Sequence, residues 1–251
     1  MRSALLAIAV LGISILPAQA ALLDFTSGSF VTGLNKVSNA EYTGSISGSD
    51  LPDGILDFRL TSQSSSNNTI TFQNFDGSTA HCGSTLACST TASDKKDGLG
   101  ISDDEVREIG NGGQSLTLEF SRGGNATSVW MDEIFFLDLF DNRQNGKGRE
   151  QAKVEIFEAS VLVNTFLFNA TATGNGGYYE EAFPTGTFRG DTFVFTAVSD
   201  ALLRDDGTND YSFAGLSVSD VSTVPVPAPI LLLVTGLLGL GVISRRKRQA
   251  A

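Results

Sequence analysis

The sequence predicts an all-β protein, an antiparallel β-sandwich of the jelly-roll type, preceded by a signal peptide and followed by a single hydrophobic helix. Short runs of alternating apolar and polar residues, separated by turns rich in Gly, Asn, Asp and Ser, fill residues 21–223. This body shows no long helical periodicity, so an all-β sandwich is favoured over a mixed fold. An immunoglobulin-like sandwich is the alternative, but the body is about twice the roughly 100 residues of that domain.

Residues 1–20 have the composition of a secretory signal peptide. Arg2 supplies a positive charge, residues 4–16 form an apolar core, and residues 18–20 are Ala-Gln-Ala, an A-x-A cleavage site. We therefore expect export from the cytoplasm and a mature chain that begins at Ala21.

The body contains several predicted strands separated by polar loops. The clearest strand is 115–120, in which three apolar residues alternate with Ser, Thr and Glu in the period of a half-buried strand. Stretches 35–54 and 61–68 are rich in Ser, Gly and Asn and are predicted to be exposed loops. The other predicted strands are 55–60, 69–75, 127–140, 153–158, 161–169, 187–198 and 211–221.

The charge of the body limits its partners. The whole chain has a formal net charge of −11, from 17 basic and 28 acidic residues. Five of the basic residues, Arg2 and those of 245–248, lie in the predicted terminal segments, which leaves residues 21–223 with 12 basic residues and a net charge of −16. Nucleic acid and anionic lipid surfaces are therefore not expected as partners. This acidic surplus suits a soluble exported protein, or one that binds divalent cations.

The two cysteines predict a local disulfide. Cys82 and Cys88 lie close together in a segment rich in Gly, Ser and Thr, and export would expose them to an oxidising compartment. Such a short loop is stabilised by about 2 kcal/mol on a chain-entropy estimate. The alternative is a metal or redox pair with His81 as a third ligand.

The sequence contains no evident catalytic constellation. His81 is the only histidine, no G-x-S-x-G elbow surrounds a serine, and P-loop, dinucleotide and zinc motifs are lacking. The acidic pairs 132–133 and 180–181 provide carboxylates of the kind that glycoside hydrolysis needs. Consecutive strand residues point to opposite faces, however, so neither pair forms a dyad by itself. We therefore expect no enzymatic activity.

The C-terminal segment 224–251 has three parts in a defined order. A proline box, Val224-Pro225-Val226-Pro227-Ala228-Pro229, precedes an apolar run over 230–243, and Arg245-Arg246-Lys247-Arg248 follows it. The apolar run is shorter than the ~20 residues of a membrane-spanning helix, but snorkelling of the basic side chains compensates. This arrangement resembles the PEP-CTERM sorting signal of Gram-negative bacteria, which an exosortase recognises, with Val226 in place of the usual Glu.

The resemblance implies a route for the protein. The precursor would stop in the inner membrane with its body in the periplasm and its basic end in the cytoplasm. An exosortase-like enzyme would then cut near Pro227 and release the body to the cell surface or into extracellular polysaccharide. An ordinary C-terminal membrane anchor is the alternative, but it does not explain the proline box. The residues implied in sorting are Val224, Pro225, Pro227, Ala228, Pro229, Arg245, Arg246, Lys247 and Arg248.

An acidic loop is the candidate cation site. It combines a Gly-Leu-Gly turn with Asp97, Asp103, Asp104 and Glu105, and it resembles a block in several exported proteins that carry the same sorting signal. The glycines permit a tight loop, and the carboxylates suit Ca²⁺, which takes about six to eight oxygen ligands. A solvated acidic loop that leads into a strand is the alternative.

The sequence thus predicts a non-catalytic exported protein of the cell surface or extracellular matrix. A Ca²⁺-dependent carbohydrate-binding module is the alternative, in which a cation would lie beside an exposed ring such as Tyr178 or Tyr179. Trp130 is predicted to pack in the core rather than against a sugar. An extracellular glycosidase is the third and least favoured hypothesis, because no carboxylate pair stands out.

Overall fold

The computed structural model describes residues 20–48, 51, 54–65, 67–72, 82–88, 98–102, 105–107, 113–141, 149–174, 176–198 and 209–221. The predicted signal peptide, except Ala20, and the whole predicted sorting signal lie outside these ranges. No helix within the ranges has the length and apolar content needed to cross a membrane.

Nearly all regular structure in the described residues is β. The one helix there, α1, spans Gly28–Thr32, and the Ser27 hydroxyl caps it by accepting a hydrogen bond from the Phe30 N–H. The strands are β1 Ala21–Asp24, β2 Asn35–Ser38, β3 Glu41–Ser47, β4 Ile55–Gln63, β5 Ile70–Phe72, β6 Leu99–Ile101, β7 Val106–Arg107, β8 Ser115–Arg122, β9 Asn125–Ala126, β10 Val129–Leu137, β11 Gln151–Glu158, β12 Val161–Asn169, β13 Tyr179–Ala182, β14 Phe188–Gly190, β15 Thr192–Val198 and β16 Asp210–Asp220.

The described strands form two antiparallel sheets. In sheet A the order is β13-β10-β16-β6-β5, while β14 also pairs with β10, and β1 and β7 also pair with β16. In sheet B the order is β12-β11-β15-β8-β4-β3-β2, and β9 pairs with β8. The predicted antiparallel all-β architecture is confirmed.

One hydrophobic core lies between the two sheets. Leu116, Leu118 and Phe120 of β8 are buried, as their alternation predicts. Rings from opposite sheets meet in this core, since the ring centre of Phe195 in β15 lies 4.0 Å from that of Phe213 in β16. Each sheet therefore folds because one of its faces is covered by the other sheet, and burial contributes roughly 1.5–3 kcal/mol for each large apolar side chain.

Sheet A is also covered on part of its opposite face. There the loop 82–88 packs against the sheet, and the predicted disulfide joins Cys82 and Cys88, whose Cα atoms lie 6.1 Å apart. Because both faces are covered, β16 is buried along nearly its whole length. We name this second group of buried residues the outer cluster; it consists of Cys82, Leu86, Cys88, Phe135, Leu137 and Ala214.

The prediction that 35–54 is an exposed loop is wrong. Strands β2 and β3 occupy much of it, and β3 pairs with β4 from Glu41 opposite Thr61 to Ser47 opposite Ile55. These two strands form the polar edge of sheet B, where most side chains stay in contact with solvent, so their sequences lack an alternating apolar face. For the same reason β4 continues into the predicted loop 61–68 as far as Gln63.

Residues 187–198 form two strands instead of the single strand predicted. Strand β14 pairs with β10 in sheet A and β15 pairs with β11 in sheet B, so the chain changes sheets at Asp191. The Asp191 N–H donates to the Phe157 carbonyl at 2.9 Å, and the Asp191 carbonyl accepts from the Phe120 N–H at 2.8 Å. The apolar pattern continues through this crossing because both strands line the same core.

Candidate functional site

Most residues predicted for sorting or cation binding lie outside the described part of the chain. This holds for the sorting residues and for Asp97, Asp103 and Asp104. Glu105 is described, and its carbonyl oxygen accepts a hydrogen bond from the Ile101 N–H at 3.1 Å. Within the described ranges no three His, Cys, Asp or Glu side chains are grouped as metal ligands. The Ca²⁺ site stays a prediction.

The Gly-Leu-Gly sequence before Glu105 is not the predicted tight loop. Leu99–Ile101 forms the buried strand β6, and Leu99 pairs with Phe213 of β16. The glycine that precedes the strand, Gly98, has a φ of +102°, and a Cβ there would lie 2.5 Å from the Phe213 carbonyl oxygen. Glycine is therefore required for the close approach of the backbone to β16.

The end of β1 holds the disulfide loop on the outer face of sheet A. The Ala87 N–H donates to Asp24 Oδ2 at 2.8 Å, and the Cys88 N–H donates to Thr26 Oγ1 at 3.0 Å. Asp24 Oδ1 accepts from both the N–H and the hydroxyl of Thr26, at 2.9 and 2.5 Å. One bond to a carboxylate and one to a hydroxyl thus hold the loop in place in addition to the disulfide.

The same outer face carries a carboxyl pair, Glu133 of β10 and Glu180 of β13. The register sets Glu133 opposite Ala182 and Phe135 opposite Glu180, so the two glutamates are diagonal neighbours on one face. Glu180 is one of the neighbours that raise the pKa of Glu133, and the Tyr178 hydroxyl donates to Glu180 Oε2.

Burial raises the pKa of Glu133 from 4.5 to about 7. The proximity of Glu180 and the negative charges of Glu180 and Asp132 act in the same direction. Burial also raises the pKa of Tyr178, and its bond to Glu180 adds to the rise, so the phenol remains a donor. Glu133 therefore holds its proton to a higher pH than an ordinary glutamate does.

Tyr178 connects the carboxyl pair to the disulfide loop. Its ring packs against the outer cluster, and a Cβ on Gly83 would lie only 2.2 Å from the phenol oxygen. Gly83 also has a φ of +67°, in the left-handed region. Both the conformation and the contact thus require glycine at this position.

A groove of about 600 Å³ between the far edges of the two sheets is a second candidate site. Phe188 contacts Phe166 and Phe183 with ring centres 4.5 and 5.1 Å apart, and Phe168 contacts Tyr179 at 5.9 Å. We name this site the edge groove. Its rim includes the polar residues Asn169, Thr171, Glu181 and Thr187.

Tyr179 is oriented in the edge groove by Glu181. Its hydroxyl donates to Glu181 Oε2 at 2.5 Å, and burial together with this bond raises the pKa of Tyr179. Rings that are partly exposed, with amide, hydroxyl and carboxylate groups at the rim, can contact the apolar face of a sugar and bind its hydroxyls. Tyr179, one of the two rings that the sequence suggests for sugar stacking, therefore lies in a suitable groove.

The prediction that Trp130 fills the core is wrong. Its neighbours Val129 and Met131 point into the core, so the alternation of β10 turns Trp130 to the opposite face of sheet A. The side chain is half-buried there and belongs to neither hydrophobic cluster.

Sequence reasoning missed the carboxyl pair because its members come from different acidic pairs, 132–133 and 180–181. Only the pairing of β10 with β13 brings one glutamate of each together. Comparison of the chain with known protein families, with curated proteins and with solved structures gives no match in any of the three. The function is therefore inferred from the chain's own residues and geometry.

Proposed function

We propose that this chain is a non-catalytic exported protein of the cell surface or extracellular matrix, sorted through its C-terminal segment. One observation carries the proposal: Ala21, the predicted first residue of the mature chain, pairs with Val218 of β16. Strand β16 ends at Asp220, shortly before the proline box. The described strands nearest to the two predicted terminal segments, β1 and β16, are therefore adjacent, and every described strand lies between those segments in the sequence.

We also infer that the sandwich has the jelly-roll topology, and the strand order supports this. Four strands of sheet A follow the order β1-β16-β10-β14, and four strands of sheet B follow the order β8-β15-β11-β12. The chain moves between the sheets from β8 to β10 to β11, and again from β14 to β15 to β16. Such crossings characterise the two interlocked Greek keys of a jelly roll. Strands β2–β4 extend sheet B beyond this set.

The surroundings of Glu133 support a non-catalytic role. Its raised pKa is explained first by burial and then by its neighbours Glu180 and Asp132. The Tyr178 hydroxyl donates to Glu180, so this neighbour is also part of the packing around the disulfide loop.

Carbohydrate binding is the second candidate function, and the edge groove is the observation that favours it. The groove offers the rings of Phe183, Phe188 and Tyr179 and the carboxylate of Glu181. A neutral or cation-linked polysaccharide suits an acidic protein better than a polyanion does. Such binding would retain the released protein in an extracellular polysaccharide.

Processing of the precursor tests the sorting proposal. In a bacterial host that has an exosortase, the wild-type chain should appear as a shortened form outside the inner membrane. A variant with Pro225, Pro227 and Pro229 changed to Ala should remain full-length in the membrane fraction, whereas Pro184→Ala, a change in the body, should be processed normally. If the triple variant is cut and released like the wild type, the sorting proposal is wrong.

Polysaccharide binding is tested separately with the released protein. Affinity electrophoresis through gels that contain neutral polysaccharides should retard the wild type, and Phe183→Ala should lose at least about tenfold in affinity because a stacking ring is removed. Ile55→Ala removes an exposed apolar side chain far from the groove and should bind normally. Retardation that a chelator abolishes would favour the Ca²⁺-dependent form, and equal mobility in all gels would exclude this candidate for the polysaccharides tested.

A further inference from the structure

Strand β12 forms an exposed apolar edge of sheet B. It pairs with β11 on one side, and no strand within the described ranges pairs with its other side. None of its nine residues is charged. Four of the six exposed large hydrophobic side chains in the described part of the chain belong to it, with exposures of 47–63%: Val161, Leu162, Val163 and Leu167. Edge strands are commonly protected by charge, proline or a β-bulge; β12 has no charge or proline, and its one register shift against β11 lies between Leu162 and Asn164, away from Thr165 and Leu167.

Part of the β12 backbone directs its hydrogen-bonding groups away from β11, toward this edge. Just beyond the strand, the Ala170 N–H donates to the Glu150 carbonyl at 3.0 Å, so residue 170 directs its backbone groups toward the β11 side. Successive residues of a strand direct their backbone groups to opposite sides, so the backbone groups of Thr165 and Leu167 are directed away from β11. Consistent with this direction, the Thr165 N–H donates to the side chain of Asn164 at 2.8 Å instead of to β11.

We propose that β12 pairs antiparallel with β12 of a second copy of this chain, about a two-fold axis at Thr165, so that two B sheets become continuous. In this register Thr165 lies opposite Thr165 of the second copy, and Leu167 lies opposite Val163. The pairing buries the exposed apolar side chains of both strands. On pairing, the Thr165 N–H would exchange its exposed hydrogen bond to the Asn164 side chain for one to the partner strand.

Charge is the reason for choosing a second copy as the partner. The body is strongly acidic, so two copies repel each other except where the contact surface is neutral. Strand β12 is uncharged, and the neighbouring Lys153 and Glu155 of β11 form an ion pair at 3.0 Å that leaves the surface without net charge. A two-fold contact places like residues near each other, which an uncharged strand permits. The strand at the opposite edge of sheet B, β2, carries the charged Lys36 and is therefore not an uncharged contact surface.

Oligomeric state measures the contact directly. Sedimentation velocity of the full chain, in a nonionic detergent that disperses its apolar ends, should show a concentration-dependent dimer. Leu167→Lys places a charge on the edge without disturbing the core and should weaken the dimer at least about tenfold. Val37→Lys makes the same change at an equally exposed residue of β2 and should leave the dimer intact.

Cross-linking tests the register. Across a hydrogen-bonded antiparallel pair the Cα atoms are about 5.5 Å apart, a distance that a disulfide spans. Oxidised Thr165→Cys should therefore give a covalent dimer, whereas Val37→Cys should not; the native cysteines are already paired with each other. Any one of three results would overturn the proposal. The wild type could stay monomeric, the two lysine substitutions could weaken the dimer equally, or the two cysteine variants could cross-link equally. A monomer that Leu167→Lys destabilises would also overturn it, since a segment of the same chain would then cover β12.

Discussion

Phe195 of β15 and Phe213 of β16 stack across the two sheets, with ring centres 4.0 Å apart and an interplanar angle of 27°. Phe213 also contacts Phe25 and Phe136, whose ring centres lie 5.5 and 6.3 Å away. All four rings are buried. The sandwich is therefore held together at this point by rings that belong to both sheets.

Replacement of Phe213 by Ala should strongly destabilise the sandwich. The change removes contacts with both sheets and leaves a cavity, which for a buried Phe costs about 3–5 kcal/mol of the free energy of unfolding. Urea denaturation followed by circular dichroism measures the loss. Val37→Ala, at an exposed edge position, should change the free energy by less than about 0.5 kcal/mol. Similar losses in the two variants would contradict the assignment of Phe213 to the core.

The carboxyl pair should make stability depend on pH. The pKa of Glu133 is about 7 in the folded protein and near 4.5 in the unfolded chain, so the folded state binds more protons between these values. The contribution of Glu133 is fully present below about pH 4.5 and is lost as the pH rises through 7. Glu133→Gln mimics the protonated form and should flatten the decline in the free energy of unfolding across this range.

The control for this prediction is Glu155→Gln. Glu155 lies on sheet B, away from the pair, and forms an ion pair with Lys153. This variant should keep the decline seen in the wild type when chemical denaturation is measured at pH 5 and at pH 8. If Glu133→Gln declines as steeply as the wild type, Glu133 is not the group whose ionisation destabilises the fold.

Loss of the disulfide should weaken the attachment of the loop 82–88 more than the sandwich itself. Replacing Cys82 and Cys88 with Ser should cost about 2 kcal/mol by the chain-entropy estimate, since the closed loop is short. Hydrogen exchange should increase at the Ala87 and Cys88 amides, which now donate to the end of β1. Amides of β8, in sheet B, should keep their protection relative to global unfolding. Global unfolding of the double variant under native conditions would show that the loop is essential to the fold.

Local patterns were sufficient to predict the buried strands. Over the first six residues of β8 and of β11 every second residue is buried, because each strand has one face on the core and one toward solvent. The disulfide was predictable for a similar reason, since both cysteines lie in one short loop. These features depend on residues that are close in the sequence.

The polar edge and the candidate sites could not be predicted in this way. Strand β2 is exposed along its whole length, so hydrogen bonds to β3, and not burial, make it a strand. The proximity of Glu133 and Glu180 depends on the pairing of β10 with β13, and the edge groove depends on β12 facing β14. The sequence shows which residues are available for such sites, but it does not show which strands are neighbours in the sheet.

An ion pair between the sheets gives the last prediction. Arg122 Nη2, at the end of β8, lies 2.7 Å from Asp220 Oδ2, at the end of β16, and the Asp220 side chain is only 5% exposed. Arg122→Ala leaves a buried carboxylate without this cation, and because the arginine itself is 28% exposed we expect a loss of about 2 kcal/mol, below the full cost of breaking a buried pair. Removing the carboxylate as well, in Arg122→Ala with Asp220→Ala, should recover part of the loss, since no charge then remains buried. A double variant whose loss equals the sum of the two single losses would contradict this account, because additive losses mean that the two side chains stabilise the fold through separate contacts.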